Sequence, residues 1–178
     1  VVDNSGSMKD EQASVKSNAL SFFDRLEALS VDFKIATITT DSSVLRGNGF
    51  TSDRGQFELD IVAGLKGSGT EAGIWQAEQA LDANSQYGPG NGSVAAAGFP
   101  RAGAAVAVIM ISDEGDQYYK HHKGNFNPRN TDRLTFNTTD NVFLNNNYVV
   151  YSIIGLDETG AAGKCQGTVG KAKGSNNT

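Results

Sequence analysis

Val1-Val2-Asp3-Asn4-Ser5-Gly6-Ser7-Met8 opens the chain, and its reading decides the rest. Two β-branched apolar residues run directly into an Asp-x-Ser-x-Ser pattern. This predicts a buried strand delivering one carboxylate and two hydroxyls to its C-terminal end, with Gly6 allowing a sharp turn between them. Open α/β sheets place their binding crevice at that end of the strands. A donor set made only of oxygen suits a hard divalent cation and nothing softer.

Working outward, residues 9–30 read as a helix: Val15, Ala19, Phe22, Phe23, Leu26 and Leu29 recur at three- and four-residue steps. Asp10 and Glu11 lie in its first turn, where the helix dipole favours acids. Residues 33–40 are rich in β-branched residues and read as a strand, and Ser43-Val44-Leu45 as a short edge strand. A short helix is expected over 53–65, capped by Ser52 or Asp53, and another from Glu71 to about Asp82. Residues 84–103 read as a long loop. The continuous apolar run 104–112 is the pattern of a central parallel strand covered on both faces. Residues 114–147 are polar and dotted with aromatics, with a short helix within 138–145. A last strand is expected over 148–154, followed by a polar tail.

Two further stretches extend the opening pattern. Gly67-Ser68-Gly69-Thr70-Glu71-Ala72-Gly73 is a Gly-rich threonine loop, and Ile111-Ser112-Asp113-Glu114-Gly115-Asp116 follows the most apolar run. With Asp3-x-Ser5-x-Ser7, these resemble the metal-ion-dependent adhesion site of von Willebrand factor type A domains, closest in look to secreted bacterial ones. The resemblance covers nearly the whole chain. One such motif is a weak signal, whereas three parts in register are a strong one.

The resemblance implies an α/β fold: a doubly wound, mostly parallel central sheet with helices on both faces. The chain would be one domain, cropped at both ends, with 155–178 a polar tail or loop. It also implies a metal set of Asp3, Ser5, Ser7, Thr70 and Asp113. The cation would be Mg2+, with Mn2+ or Ca2+ as alternatives. Such a site keeps a coordination position open, which an acidic residue of a partner protein fills. The expected function is therefore metal-dependent protein binding or adhesion without turnover, in an extracellular, cell-surface or periplasmic setting. In secreted bacterial relatives a cysteine often stands near the place of Cys165, and the resemblance implies a disulfide to a cysteine beyond Thr178.

Composition agrees with a folded domain. The 178 residues are 38% hydrophobic, enough for a core. A net charge of −5 argues against a nucleic-acid partner held by phosphate contacts. No apolar run approaches the roughly 20 residues of a membrane span.

Competing readings remain. Ser5 and Ser7 could simply cap the first helix. Glu114 and Asp116 read as solvated loop acids or as acceptors behind the metal ligands. Tyr118 and Tyr119 are candidates for partner recognition, or they fold their loop onto the domain. His121-His122 reads as surface loop, since adjacent side chains rarely converge on one ion. Asn91, Asn137 and Asn176 begin sequons that matter only in a eukaryotic secretory route. Ser5, Asp113 and His121 follow the chain order of α/β-hydrolase triads, but the flanking glycines of a nucleophile elbow are missing. A dehalogenase-type phosphatase needs an aspartate where Ser5 stands. A type A subunit of a larger surface or pilus-type assembly would use the same site with a different partner.

Overall fold

Val2 is the backbone hub of the structure, a computed structural model. It describes residues 1–83, 92–117, 142–146, 148–153, 164–166 and 171–173, with side chains left out at 144, 145 and the last two segments. Val2 bridges in parallel to Thr39 on one side and to Ile111 on the other. Its N–H donates to the Ile38 carbonyl at 2.9 Å, and the Thr40 N–H donates back to the Val2 carbonyl at 3.2 Å. On the other side the Asp3 N–H donates to the Ile111 carbonyl and the Ile111 N–H to the Val1 carbonyl. Strand β1, Ala107–Ile111, then pairs in parallel with β2, Val149–Ile153, in the register Ala107↔Val149 to Ile111↔Ile153. Beyond the second segment, Ile35 bridges antiparallel to Thr51.

Some expected elements are shorter or placed elsewhere. Residues 33–40 are held by isolated bridges at Ile35 and Thr39 rather than a continuous ladder. The expected edge strand at 43–45 is not formed: Thr39 and Ser42 close a tight turn, and Ser43 to Leu45 follow it outside any strand, while Thr51 bridges to Ile35. The apolar run yields a strand only over 107–111. In it Met110 is buried, its neighbours are half-buried and Ala107 is exposed, so full cover on both faces is not seen.

Side chains alternate across extended backbone, and two apolar clusters result. Val2, Phe23, Phe57 and Ile61 form one, with Ile35 and Ile111 packed against it. Ile38, Ile74, Ala77, Ala80, Val94, Met110 and Phe143 form the other, with Val1, Val108 and Val150 at its margin. Helices α1 (Glu11–Ala28) and α2 (Arg54–Ile61) supply the first cluster. Helices α3 (Gly73–Leu81), α4 (Ser93–Ala96) and α5 (Val142–Asn145) supply the second.

Phe23 is fully buried, edge-on to Phe33 and stacked on Phe57, with ring centroids 4.9 and 5.4 Å away. Phe22 and Leu29, expected to pack, are exposed. A helix turns about 100° per residue, so Phe22 cannot share the face of Phe23. Asp53, one of the two expected caps, accepts from the Gln56 N–H at 2.7 Å. Helix α2 stops at Ile61, short of 65, where Gly64 takes a positive φ of 84°. The Arg46 guanidinium binds the Asp60 and Val62 carbonyls left open at that end.

The expected loop 84–103 contains α4, and 84–91 lie outside the described residues. Within the expected tail, β3 (Lys164–Gln166) pairs antiparallel with β4 (Lys171–Lys173), placing Cys165 opposite Ala172. The Cys165 side chain, the histidine pair and the three sequon asparagines lie outside what is described. Among the described residues, no helix is long and apolar enough to cross a membrane.

Candidate metal centre

The bridges through Val2 decide the site. Because Val2 lies between Thr39 and Ile111, the residues that follow each of them, Asp3, Thr40 and Ser112, must emerge side by side. The 67–73 loop is fastened beside them at two points. The Gly67 N–H donates to the Asn4 carbonyl at 2.8 Å, and the Ala72 N–H to the Thr40 carbonyl at 3.0 Å.

Asp3 is fully buried. Its Oδ1 accepts the Ser5 N–H at 2.8 Å and faces the Thr40 hydroxyl at 3.4 Å, while Oδ2 accepts the Ser112 hydroxyl at 2.6 Å. The Ser5 and Ser7 hydroxyls lie 2.8 Å apart. Ser7 Oγ donates to Asp113 Oδ1 at 3.1 Å. Asp3, Ser5, Ser7 and Asp113 are therefore joined in one polar chain.

The helix-cap alternative for the two serines fails. Ser5 precedes a 3-10 turn over Gly6–Lys9 but caps it with no side-chain bond, and α1 starts later, after Asp10. The two hydroxyls bond each other instead, and Ser7 passes the chain on to Asp113.

Thr70 is half-buried, its N–H bonded to the Ser68 hydroxyl at 3.0 Å. Its own hydroxyl has no hydrogen bond to the four residues above, so the loop docks near the cluster without closing on it. Glu114 lies against Glu71, to which it is hydrogen-bonded. Asp116 is drawn elsewhere: its Oδ2 accepts the Ile74 N–H at 2.8 Å in the first turn of α3. Tyr118 and Tyr119 lie outside the described residues.

Two acids at the site were not foreseen. Glu71, only 3% exposed, meets Gln117 Nε2 at 3.1 Å as well as Glu114. Burial, then the charges of Asp3, Glu114 and Asp113, pushes its carboxyl up to about 8. Asp41 ties three loops together through the Thr39 hydroxyl at 2.7 Å, the Ser68 N–H at 2.9 Å and the Asn4 amide at 3.1 Å. Burial opposes ionisation of Asp41, but those bonds outweigh it and hold its carboxyl below the usual value. The available signal was position: Asp41 ends the second apolar segment as Asp3 ends the first, and Glu71 adjoins Thr70.

Burial also raises the Asp113 carboxyl, with the Asp3 and Glu114 charges adding to the effect and the Ser7 hydroxyl offsetting part of it. Asp3, Glu71 and Asp113 are thus buried carboxyls, and the ion pairs among the described residues all lie elsewhere. Buried charge without a counter-charge is costly. A cation would relieve it, so the donors fit one. Among the described residues no three His, Cys, Asp or Glu side chains are arranged to hold a metal. Any ion here would rest on two carboxylates and on hydroxyls. Comparison with protein-family models, curated proteins and solved structures finds no match.

Proposed function

We propose that the chain is a non-enzymatic, divalent-cation-dependent protein-binding domain of the von Willebrand factor type A kind. Asp3, Ser5, Ser7 and Asp113 would hold the ion, and the 67–73 loop would bring Thr70 onto it. A bound cation supplies an open coordination position for an acidic residue of a partner. Mg2+ suits two carboxylates plus neutral hydroxyls, and Mn2+ or Ca2+ could replace it.

The observation that carries this reading is the pair of serine hydroxyls. They leave the helix uncapped and bond each other, Ser7 reaching the buried Asp113 while the Ser5 N–H is held by the buried Asp3, and no ion pair among the described residues compensates either carboxylate. Stabilisation without a ligand would favour the cap. The parallel bridges of Val2 to both neighbours, with apolar clusters on either face, support the doubly wound sheet proposed here. An extracellular, surface or periplasmic setting, free or within a larger assembly, goes with the same proposal.

Millimolar Mg2+ should stabilise the protein by on the order of 1–3 kcal/mol at about 10 to 100 times Kd, and EDTA should reverse it. Asp113→Ala should lose most of this gain while remaining folded. Unfolding curves indifferent to Mg2+, Mn2+ and Ca2+ would refute the proposal.

A further inference from the structure

Of the eight cations whose side chains are described, five are already engaged. Lys16 pairs with Glu58, Arg54 with Asp24 and Arg101 with Asp32. Arg46 binds the carbonyls at the end of α2, and Lys34 meets the Ser52 hydroxyl at 2.8 Å. Lys9, Arg25 and Lys66 are the cations with described side chains left without such a bond. Arg25 lies in the last turn of α1, where the helix dipole accounts for a positive charge. Lys66 has no such explanation, and Lys9 closes only a four-residue 3-10 turn, too short for a comparable dipole.

Both belong to the loops that carry the site. Lys9 ends the turn that begins at Gly6, and exposed Ser7 and Lys9 flank the buried Met8. Lys66 is exposed and adjoins Gly67, which is bonded to the Asn4 carbonyl. The two loops touch: a Cβ on Gly6 would lie 4.0 Å from the Leu65 carbonyl. Leu65 itself is 37% exposed. The acids Asp3, Glu71 and Asp113 are buried, and the two touching loops beside them carry the exposed Lys9 and Lys66, with exposed Leu65 next to Lys66.

We propose that Lys9, Leu65 and Lys66 form a recognition rim for an acidic peptide segment. One carboxylate of the segment would go to the cation, at least one more to the lysines, and a neighbouring aliphatic residue to Leu65. This rests on the cation-dependent reading above and specifies its partner. Charge complementarity selects the occupant: a single carboxylate satisfies the ion and leaves both lysines unused. The rim adds specificity and on-rate rather than large affinity, because exposed ion pairs are individually weak.

A random-peptide display library selected on the immobilised protein in Mg2+ tests this. The wild type should enrich segments with two or more acids next to an aliphatic residue. Lys9→Gln/Lys66→Gln should still enrich acidic segments but lose the preference for the second acid. A synthetic two-acid peptide from the selection should bind that variant roughly two- to thirty-fold more weakly, and the difference should shrink as salt rises. Leu65→Ser should relax the aliphatic preference alone. An unchanged two-acid pattern on the lysine variant, or single-acid segments on the wild type, overturns the rim and leaves the cation site standing. Enrichment that ignores EDTA overturns the cation reading and the rim with it. Mg2+-independent binding of anionic vesicles through the two lysines overturns the peptide as occupant.

Discussion

Glu71→Gln separates the electrostatics of the site from any ligand. Glu71 is surrounded by Asp3, Asp113 and Glu114, and its carboxyl is pushed from 4.5 up to about 8, by burial first and then by those charges. At neutral pH it therefore keeps its proton in the folded protein. Below about pH 4.5 the folded and unfolded states are both protonated there. Between 4.5 and about 8 only the unfolded chain releases the proton, so stability falls as pH rises, and above about 8 the loss is complete. A separation of roughly 3.5 pH at about 1.36 kcal/mol each caps the effect near about 5 kcal/mol. Solvent at the mouth of the crevice screens part of it, leaving roughly 2–3 kcal/mol.

A glutamine at 71 keeps the shape, faces Gln117 with an amide oxygen and donates permanently toward Glu114. In EDTA, urea unfolding followed by the single, buried Trp75 should find the variant about as stable as wild type near pH 5. Near pH 8.5 it should be more stable by roughly 2 kcal/mol. A shallower slope of the same sign should survive in the variant, because the Asp113 carboxyl is raised as well. Parallel pH curves for the two proteins, or a destabilised variant near pH 8.5, would refute the buried acid cluster.

Gly67→Ala should expose the coupling between the two site loops: a Cβ there would come within 2.3 Å of Asn4 Oδ1, forcing Asn4 off Asp41. The cost should be about 1 kcal/mol in wild type and near zero in an Asn4→Ala background, and equal costs in a double-mutant cycle would disprove the link. Phe23→Ala should destabilise by about 3–5 kcal/mol, whereas Phe22→Ala, on the open face of the same helix, should change stability by no more than about 0.5 kcal/mol. Chemical denaturation of both decides whether Phe23 anchors the α1–α2 cluster.

What the sequence determined by itself is what depends on neighbours along the chain. The apolar spacing of α1, the Asp53 cap, the β-branched pair at Val1-Val2 and the apolar run around Met110 are local patterns with local causes, and each has an observed counterpart. The residues quoted for the site were likewise legible as acids and hydroxyls at the ends of apolar runs. Only the tertiary structure decided which of them meet. Whether Ser7 caps a helix or turns to Asp113, with Ser5 bonded behind it, depends on a side chain 106 residues away from Ser7. The same holds for Asp41, which gathers Asn4 and Ser68 from two other loops, and for Thr51, which pairs with Ile35. Glu71 shows the physical reason most directly. Nothing in its own stretch sets it apart from a solvated acid, and its retained proton is the work of burial first and then of three carboxylates, brought about by the parallel pairing through Val2 and the docking of the 67–73 loop.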